Sequence, residues 1–191
     1  MANIKIKSED VLPDTKYTLK KINYDVQKKD GSWAHEEREV YHHGNAVTAL
    51  LYNKKQRTVI LTKQFRLPTY INGNPSGMLV ETCAGLLEEG EEPQKAIIRE
   101  IEEETGFAIT NVQKIFEAYS SAGILTELIH YYLAEYRRDQ RKDKGGGLEE
   151  EGEEIQVMEL SFDAAFQMLD KGEIKDAKTI ILLQYLKLKG I

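Results

Sequence analysis

Glu100, Glu103 and Glu104 are the residues of this chain whose types and spacing most directly suggest chemistry. They fall in GLLEEGEEPQKAIIREIEEETGF, Gly85 to Phe107, a segment crowded with glutamate. Pro93 suits the first turn of a helix, Gly106 suits the residue just past its end, and Ala96 to Thr105 are good helix formers between them. At about 100 degrees per residue, Ile97, Ile98 and Ile101 share one face that is expected to be buried. Glu100 and Glu104 then lie one turn apart with Glu103 beside them, a carboxylate stripe along the margin of that face. Like charges so placed cost a few tenths of a kcal/mol, and more when partly desolvated. A cation therefore belongs beside them. Oxygen donors suit a hard divalent ion such as Mg²⁺, which keeps waters and takes substrate phosphates, whereas Zn²⁺ usually recruits His or Cys. Arg99, one turn before Glu103, is placed to orient a carboxylate from behind. For a glutamate-rich helix taken alone, a solvated acidic face is the plain alternative.

The elements around that helix must hold it in place. KYTLKKINYDVQKKDGSWAHEEREVYHH alternates polar and apolar residues about a Lys-Asp-Gly turn and predicts an antiparallel hairpin. NAVTALLYNKKQRTVILTKQFR predicts a second pair of strands about Lys-Lys-Gln-Arg. INGNPSG is a loop by composition, and MLVETCAG predicts one short strand leading into the acidic segment. VQKIFEAYSS, ELIHYYLAEYR and IQVMELS predict further strands, with the charged stretch RRDQRKDKGGGLEEEGEE before the last of them. SFDAAFQMLDKGE predicts a helix with a Ser N-cap, and DAKTIILLQYLKLKG a closing amphipathic helix. The order implies an α+β layered domain with a mixed sheet between helices.

With 191 residues the chain suits one core-bearing domain, with room for a small appended element. A net charge of -6 gives no general attraction to nucleic acid or to anionic membranes, so a polyanionic substrate needs bound metal or local arginines. MANIKIKSED lacks the apolar run of a signal peptide, no stretch approaches a membrane span, and the single Cys83 permits no internal disulfide. A cytoplasmic protein is the expectation.

Written out, the acidic segment is Gly85, five residues, Glu91, seven residues, Arg99-Glu100, the apolar Ile101, one residue, Glu103-Glu104, one residue, Gly106 and Phe107. This spacing resembles the signature of the Nudix hydrolases at every defining position. The resemblance implies an αβα sandwich and Mg²⁺-assisted hydrolysis of a nucleoside diphosphate linked to another group, with Mn²⁺ as a substitute ion. It also implies metal ligation by Glu100, Glu104 and the Ala84 carbonyl, with Glu103 assisting.

The flanks EREVYHHGNAVTALLYN, KQFRLPTYINGNPSG, TELIHYYLAEY and GEIKDAKTIILLQYL resemble the GDP-mannose pyrophosphatase branch, close to the ADP-ribose pyrophosphatases, over nearly the whole chain. Where the branch has Ser-Pro-Gly before its TELIH segment, this chain has Ser121-Ala122-Gly123. The branch implies a nucleotide-sugar substrate and a homodimer, with residues 1–44 as antiparallel strands at the dimer contact and 45–191 as the Nudix domain. Carried over by position, Arg66 binds phosphate, Lys178 contacts phosphate or merely covers apolar surface, and Tyr17 reaches a neighbouring subunit's nucleotide or packs. Arg38, Glu39 and Leu86 join the substrate set, and Glu127 faces the substrate. Alignment on the strand after the triple glycine makes Glu153 an extra metal ligand and Glu151 the general base, with the glycines as a hinge for loop closure. An ADP-ribose pyrophosphatase and a catalytically silent nucleotide sensor are the competing readings, and His42, His43 and His130 are read as structural.

Overall fold

A computed structural model of the chain describes residues 4–11, 17–148, 150 and 152–191. The chain divides into two compact units, Met1–Asn45 with Ala118–Ile129, and Ala46–Glu117 with His130–Ile191. The sequence division had left 118–129 with the second part.

The first unit is built on a three-stranded antiparallel sheet in the order β1 (Ile4–Val11), β2 (Thr18–Gln27), β3 (Trp33–His42). The β2–β3 hairpin closes where the Lys-Asp-Gly signal placed it. Gly31 takes a left-handed φ of 86°, and Asp30 Oδ1 accepts from the Ser32 amide at 2.9 Å. Strand β1 lies within the stretch 1–44 that the sequence reads as antiparallel strands, although only the β2–β3 hairpin has a turn signal of its own. Segment 118–129 is tied to β3 through Tyr41, whose amide donates to Ile124 O at 2.8 Å and whose carbonyl accepts from the Thr126 amide at 3.3 Å.

The second unit carries a seven-stranded sheet flanked by helices. Its path runs β10 (Gln156–Ser161), β5 (Thr58–Phe65), β4 (Ala46–Asn53), β9 (Leu128–Glu135), β8 (Gln113–Tyr119). The segment expected to be one strand is two, because β6 (Met78–Glu81) pairs with β5 whereas β7 (Cys83–Leu86) pairs with β4. Buried Thr82 lies at the changeover. Helix α1 (Leu67–Ile71), with Pro68 in its first turn, fills the stretch between β5 and the INGNPSG loop, to which the sequence assigns no element.

Strand β4 shows how the layers form. Its side chains alternate between two buried faces, so it reads as an almost continuous apolar run. Val47, Ala49 and Leu51 join Ala96, Ile97 and Ile101 of helix α2 (Pro93–Thr105) in one core. Thr48 turns the other way, bonding Thr82 Oγ1 at 2.9 Å, and Thr82 is in turn bonded by Thr179 of helix α4 (Ala177–Lys189). Helix α3 (Phe162–Asp170) is opened by Ser161, whose hydroxyl accepts from the Ala164 amide at 3.1 Å. It packs on β10 and β5.

Helix α2 begins at Pro93 and ends on Gly106 at φ 75°, as its sequence predicts. Its buried face is centred differently from the expectation. Ala96 is fully buried in place of Ile98, which is only half-buried, and the face runs on through Glu104 and Thr105. No helix among the described residues is long and apolar enough to cross a membrane.

Candidate active site

The acidic stripe on α2 lies against strand β7. Gly85 is what lets the two approach: a Cβ there would sit 2.0 Å from both Cδ and Oε1 of Glu100. Glu100 is held from the side by Arg99, with Nη1 to Oε1 at 2.9 Å. The same Nη1 donates to Glu103 Oε2 at 2.9 Å, while Nε and Nη2 each reach a Glu91 oxygen at 3.3 Å. The box arginine therefore clamps three carboxylates, the orienting role its spacing suggested.

Glu104 does not lie at the margin of the helix face. Its residue is 2% exposed, and its Oε2 has no hydrogen-bond partner among the described residues. Burial pushes its carboxyl up to about 8, with Glu100, Glu153 and Glu81 adding to the rise against a lowering from the Cys83 thiol. Burial likewise pushes Glu100 up to about 7, despite the Arg99 guanidinium beside it. An ionised, buried and unpartnered carboxylate oxygen is costly, and a divalent cation is the partner that would remove the cost. The donor set agrees, since it is all oxygen. No three acidic, His or Cys side chains among the described residues stand close enough to cage an ion by themselves.

Glu153 reaches this site from the loop before β10. Its Oε2 accepts from the Leu148 amide at 3.2 Å, and its charge helps raise Glu100 and Glu104. Ala84 lies on β7 between Cys83 and Gly85, opposite Thr48, and Leu86 ends that strand opposite Ala46. Glu151 lies outside the described residues.

The triple glycine has a role that the sequence did not suggest. Gly146 N donates to Glu104 O at 2.9 Å and Gly147 N to Glu103 O at 3.2 Å, satisfying carbonyls at the end of α2. A Cβ on Gly145 would sit 2.4 Å from Glu104 O, and one on Gly147 2.3 Å from Glu153 Oε2. These amides strap the loop to the helix end; a side chain is excluded by close approach at Gly145 and Gly147, and positive φ disfavours one at all three glycines.

A second charged cluster in the same unit gathers Arg66 and Lys178. Glu81, 3% exposed, accepts from Arg66 Nε at 2.7 Å and from Lys178 Nζ at 3.3 Å. Lys178 also donates to Asp176 Oδ1 at 2.7 Å. Oδ2 of Asp176 caps α4 by accepting from the Thr179 amide at 2.9 Å. Burial works against both cations, but the carboxylates more than offset it and hold their pKa values above the ordinary ones. Glu81 and Asp176, which complete this cluster, are not among the residues the sequence singles out. The Asp-Ala-Lys-Thr cap at the start of the last helix was a visible signal for Asp176, whereas nothing local marks Glu81.

Tyr17, Arg38, Glu39 and Glu127 belong to the first unit. Tyr17 packs edge-on to Tyr41 at 6.0 Å and to His43 at 5.3 Å between ring centroids. Glu127 Oε1 lies 3.9 Å from His43 Nε2. Arg38 pairs with Glu36 at 2.7 Å and donates to Glu37 O at 2.8 Å, and Glu39 is exposed opposite Lys21.

Residues 42–183 match the family profile described as NUDIX domain, and residues 3–41 match that described as GDP-mannose pyrophosphatase NudK N-terminal domain. A protein of Escherichia coli O1:K1 / APEC named GDP-mannose pyrophosphatase is 49% identical over 188 residues, 98% of this chain and 97% of its own. Proteins of the same name from Shigella dysenteriae serotype 1 (strain Sd197) and Shigella boydii serotype 4 (strain Sb227) are 49% and 50% identical. The first covers 95% of this chain and 93% of its own length, the second 93% and 91%.

Proposed function

Because the chain belongs to the NUDIX family, we propose that it hydrolyses the pyrophosphate bond of GDP-mannose to GMP and mannose 1-phosphate, with Mg²⁺ as its metal and Mn²⁺ as a substitute. The observation that carries the reaction class is Glu104: a buried carboxylate with an oxygen unpartnered among the described residues, one turn from Glu100 on the helix that packs on the strand carrying Ala84 and Gly85. The choice of sugar rests on full-length similarity to proteins named for that substrate. Glu100, Glu104, Glu153 and the Ala84 carbonyl are the residues that would hold the metal. When bound, a divalent cation neutralises pyrophosphate charge and acidifies a coordinated water.

The remaining steps belong to side chains. Arg99 fixes Glu100 and Glu103, so that the carboxylates would hold a divalent ion without first reorganising. Arg66 offers a guanidinium to phosphate, and Lys178 adds an ammonium. Glu151 accepts the proton of the attacking water as one P–O bond of the anhydride breaks and the leaving phosphate takes the bond electrons. Tyr17, Arg38, Glu39, Leu86 and Glu127 contact the nucleotide sugar. The enzyme acts as a homodimer in the cytoplasm, with residues 1–44 at the dimer contact and 45–191 as the catalytic domain.

The test is a panel of GDP-mannose, GDP-glucose, ADP-ribose, ADP-glucose and dinucleoside polyphosphates with Mg²⁺, products identified by mass. GDP-mannose should turn over fastest. A clear preference for ADP-ribose would overturn the substrate, and absence of turnover on every member would favour a nucleotide sensor.

A further inference from the structure

Buried Glu81 takes no part in the mechanism above, yet it joins two of the residues given to phosphate binding. Burying a carboxylate under an arginine and a lysine is poor evidence of a gain in stability, because desolvation consumes most of the attraction. What the arrangement does fix is orientation. Exposure of the side chains falls from 40% at Arg66 through 19% at Lys178 to 3% at Glu81, so the carboxylate lies beneath the cations. Glu81 Oε2 takes Nε of Arg66, and Nη1 and Nη2 have no hydrogen bond to any described residue. A guanidinium anchored through Nε keeps its two terminal amino groups as a fixed pair of donors, the geometry that two phosphate oxygens accept. The other oxygen of Glu81 takes Lys178, which Asp176 holds from the α4 N-terminus. Thr179 Oγ1 accepts from the Thr82 amide at 2.6 Å, locking the residue after Glu81 to the same helix turn. One carboxylate thus sets three segments, at 66, 81 and 178, in register.

We propose that Glu81 is a positioning residue for pyrophosphate binding, presenting Arg66 and Lys178 to the phosphates in one pre-set arrangement. This rests on the reading that Arg66 binds the substrate. Orientation and charge make opposite predictions, which gives the test its force. Glu81, Asp176, Arg66 and Lys178 together carry no net charge, so Glu81→Gln leaves the cluster one unit more positive toward an anionic substrate. If charge alone mattered, that variant would bind GDP-mannose better.

The experiment measures kcat and KM on GDP-mannose for the full chain, E81Q, R66A, the double variant and E81D, each assayed well below its melting temperature. Misplacing a binding group by about 1 Å costs up to ~100-fold. We expect E81Q to lower kcat/KM by ~10-fold or more, and R66A by at least as much. The double variant should lose less than the product of the two single losses, because part of what Glu81 does passes through the arginine and the rest through Lys178. E81D keeps the charge and shortens the reach, so it should lose activity as E81Q does, and it decides the matter if E81Q does not fold. An E81Q or E81D enzyme with parental or higher kcat/KM, or losses that multiply in the double variant, would overturn the proposal. If R66A alone is without effect, the reading of Arg66 falls and this inference with it. If R66A is impaired while E81Q and E81D are not, only the inference falls.

Discussion

Replacing Gly85 by alanine should separate catalysis from stability. The added methyl would lie 2.0 Å from Cδ and Oε1 of Glu100 and 2.6 Å from Oε2. Ordinary contact begins near 3.4 Å, so the carboxylate must retreat by about 1.4 Å. It is the far end of a flexible side chain, and Gly85 has no positive φ, so the backbone can accept alanine and the fold should survive. Loss of glycine's freedom in the unfolded chain even favours the variant by about 0.4–1 kcal/mol. A metal site has no such tolerance, since Mg²⁺ demands oxygens at about 2.0–2.1 Å in near-octahedral order. A displacement of that size should cost ~100-fold in rate, about 2.7 kcal/mol of barrier, and should raise the Mg²⁺ concentration needed for half-maximal activity. Turnover of GDP-mannose against Mg²⁺ concentration, with thermal melts in chelator, provides the assay. A variant that melts within a few degrees of the parent but is nearly inactive is the expected result. Activity within about threefold at unchanged metal requirement would refute the placement of Glu100 at the metal.

Other consequences follow from the same carboxylates. In chelator, Glu100 and Glu104 have folded-state pKa values of about 7 and about 8 against an ordinary 4.5. The native state therefore binds more protons than the unfolded one across that interval, and the contribution to stability present below about 4.5 is lost as pH rises toward 8. Metal-free protein should melt lower at pH 9 than at pH 6, and Glu104→Gln should remove much of that fall. An equal pH 6 to 9 difference in parent and variant melts would show that Glu104 is not the source. In the acidic loop, Glu151→Gln should lower kcat with little change in KM, whereas Glu153→Gln should raise the Mg²⁺ requirement. If both stay within about twofold of the parent, roughly 0.4 kcal/mol in barrier, the base lies elsewhere.

The helix of the box was legible because its signals are local: Pro93 and Gly106 bracket it, and both stand where the rules for helix ends place them. The hairpins were legible for the same reason. What escaped the sequence is set by contacts between distant segments. Helical periodicity put Glu104 beside the apolar face, but only the close approach of β7 through Gly85 encloses the acidic stripe of α2. Glu81 looks like any strand-end glutamate until Arg66, 15 residues before it, and Lys178, 97 after it, are seen on its two oxygens. The triple glycine suggested freedom by composition, yet its amides cap α2. Segment 118–129 reads locally as the end of one strand and the start of another, and its bonds to Tyr41 are what group it with the first unit.

The central claim is that water attacks the pyrophosphate and not the sugar. Turnover of GDP-mannose in ¹⁸O-labelled water with Mg²⁺, followed by mass analysis of the products, tests it most directly. The account predicts GMP and mannose 1-phosphate with a single ¹⁸O on one of the two new phosphate groups, and no turnover in chelator. GDP and free mannose bearing the label would place the attack at the glycosidic carbon and contradict it.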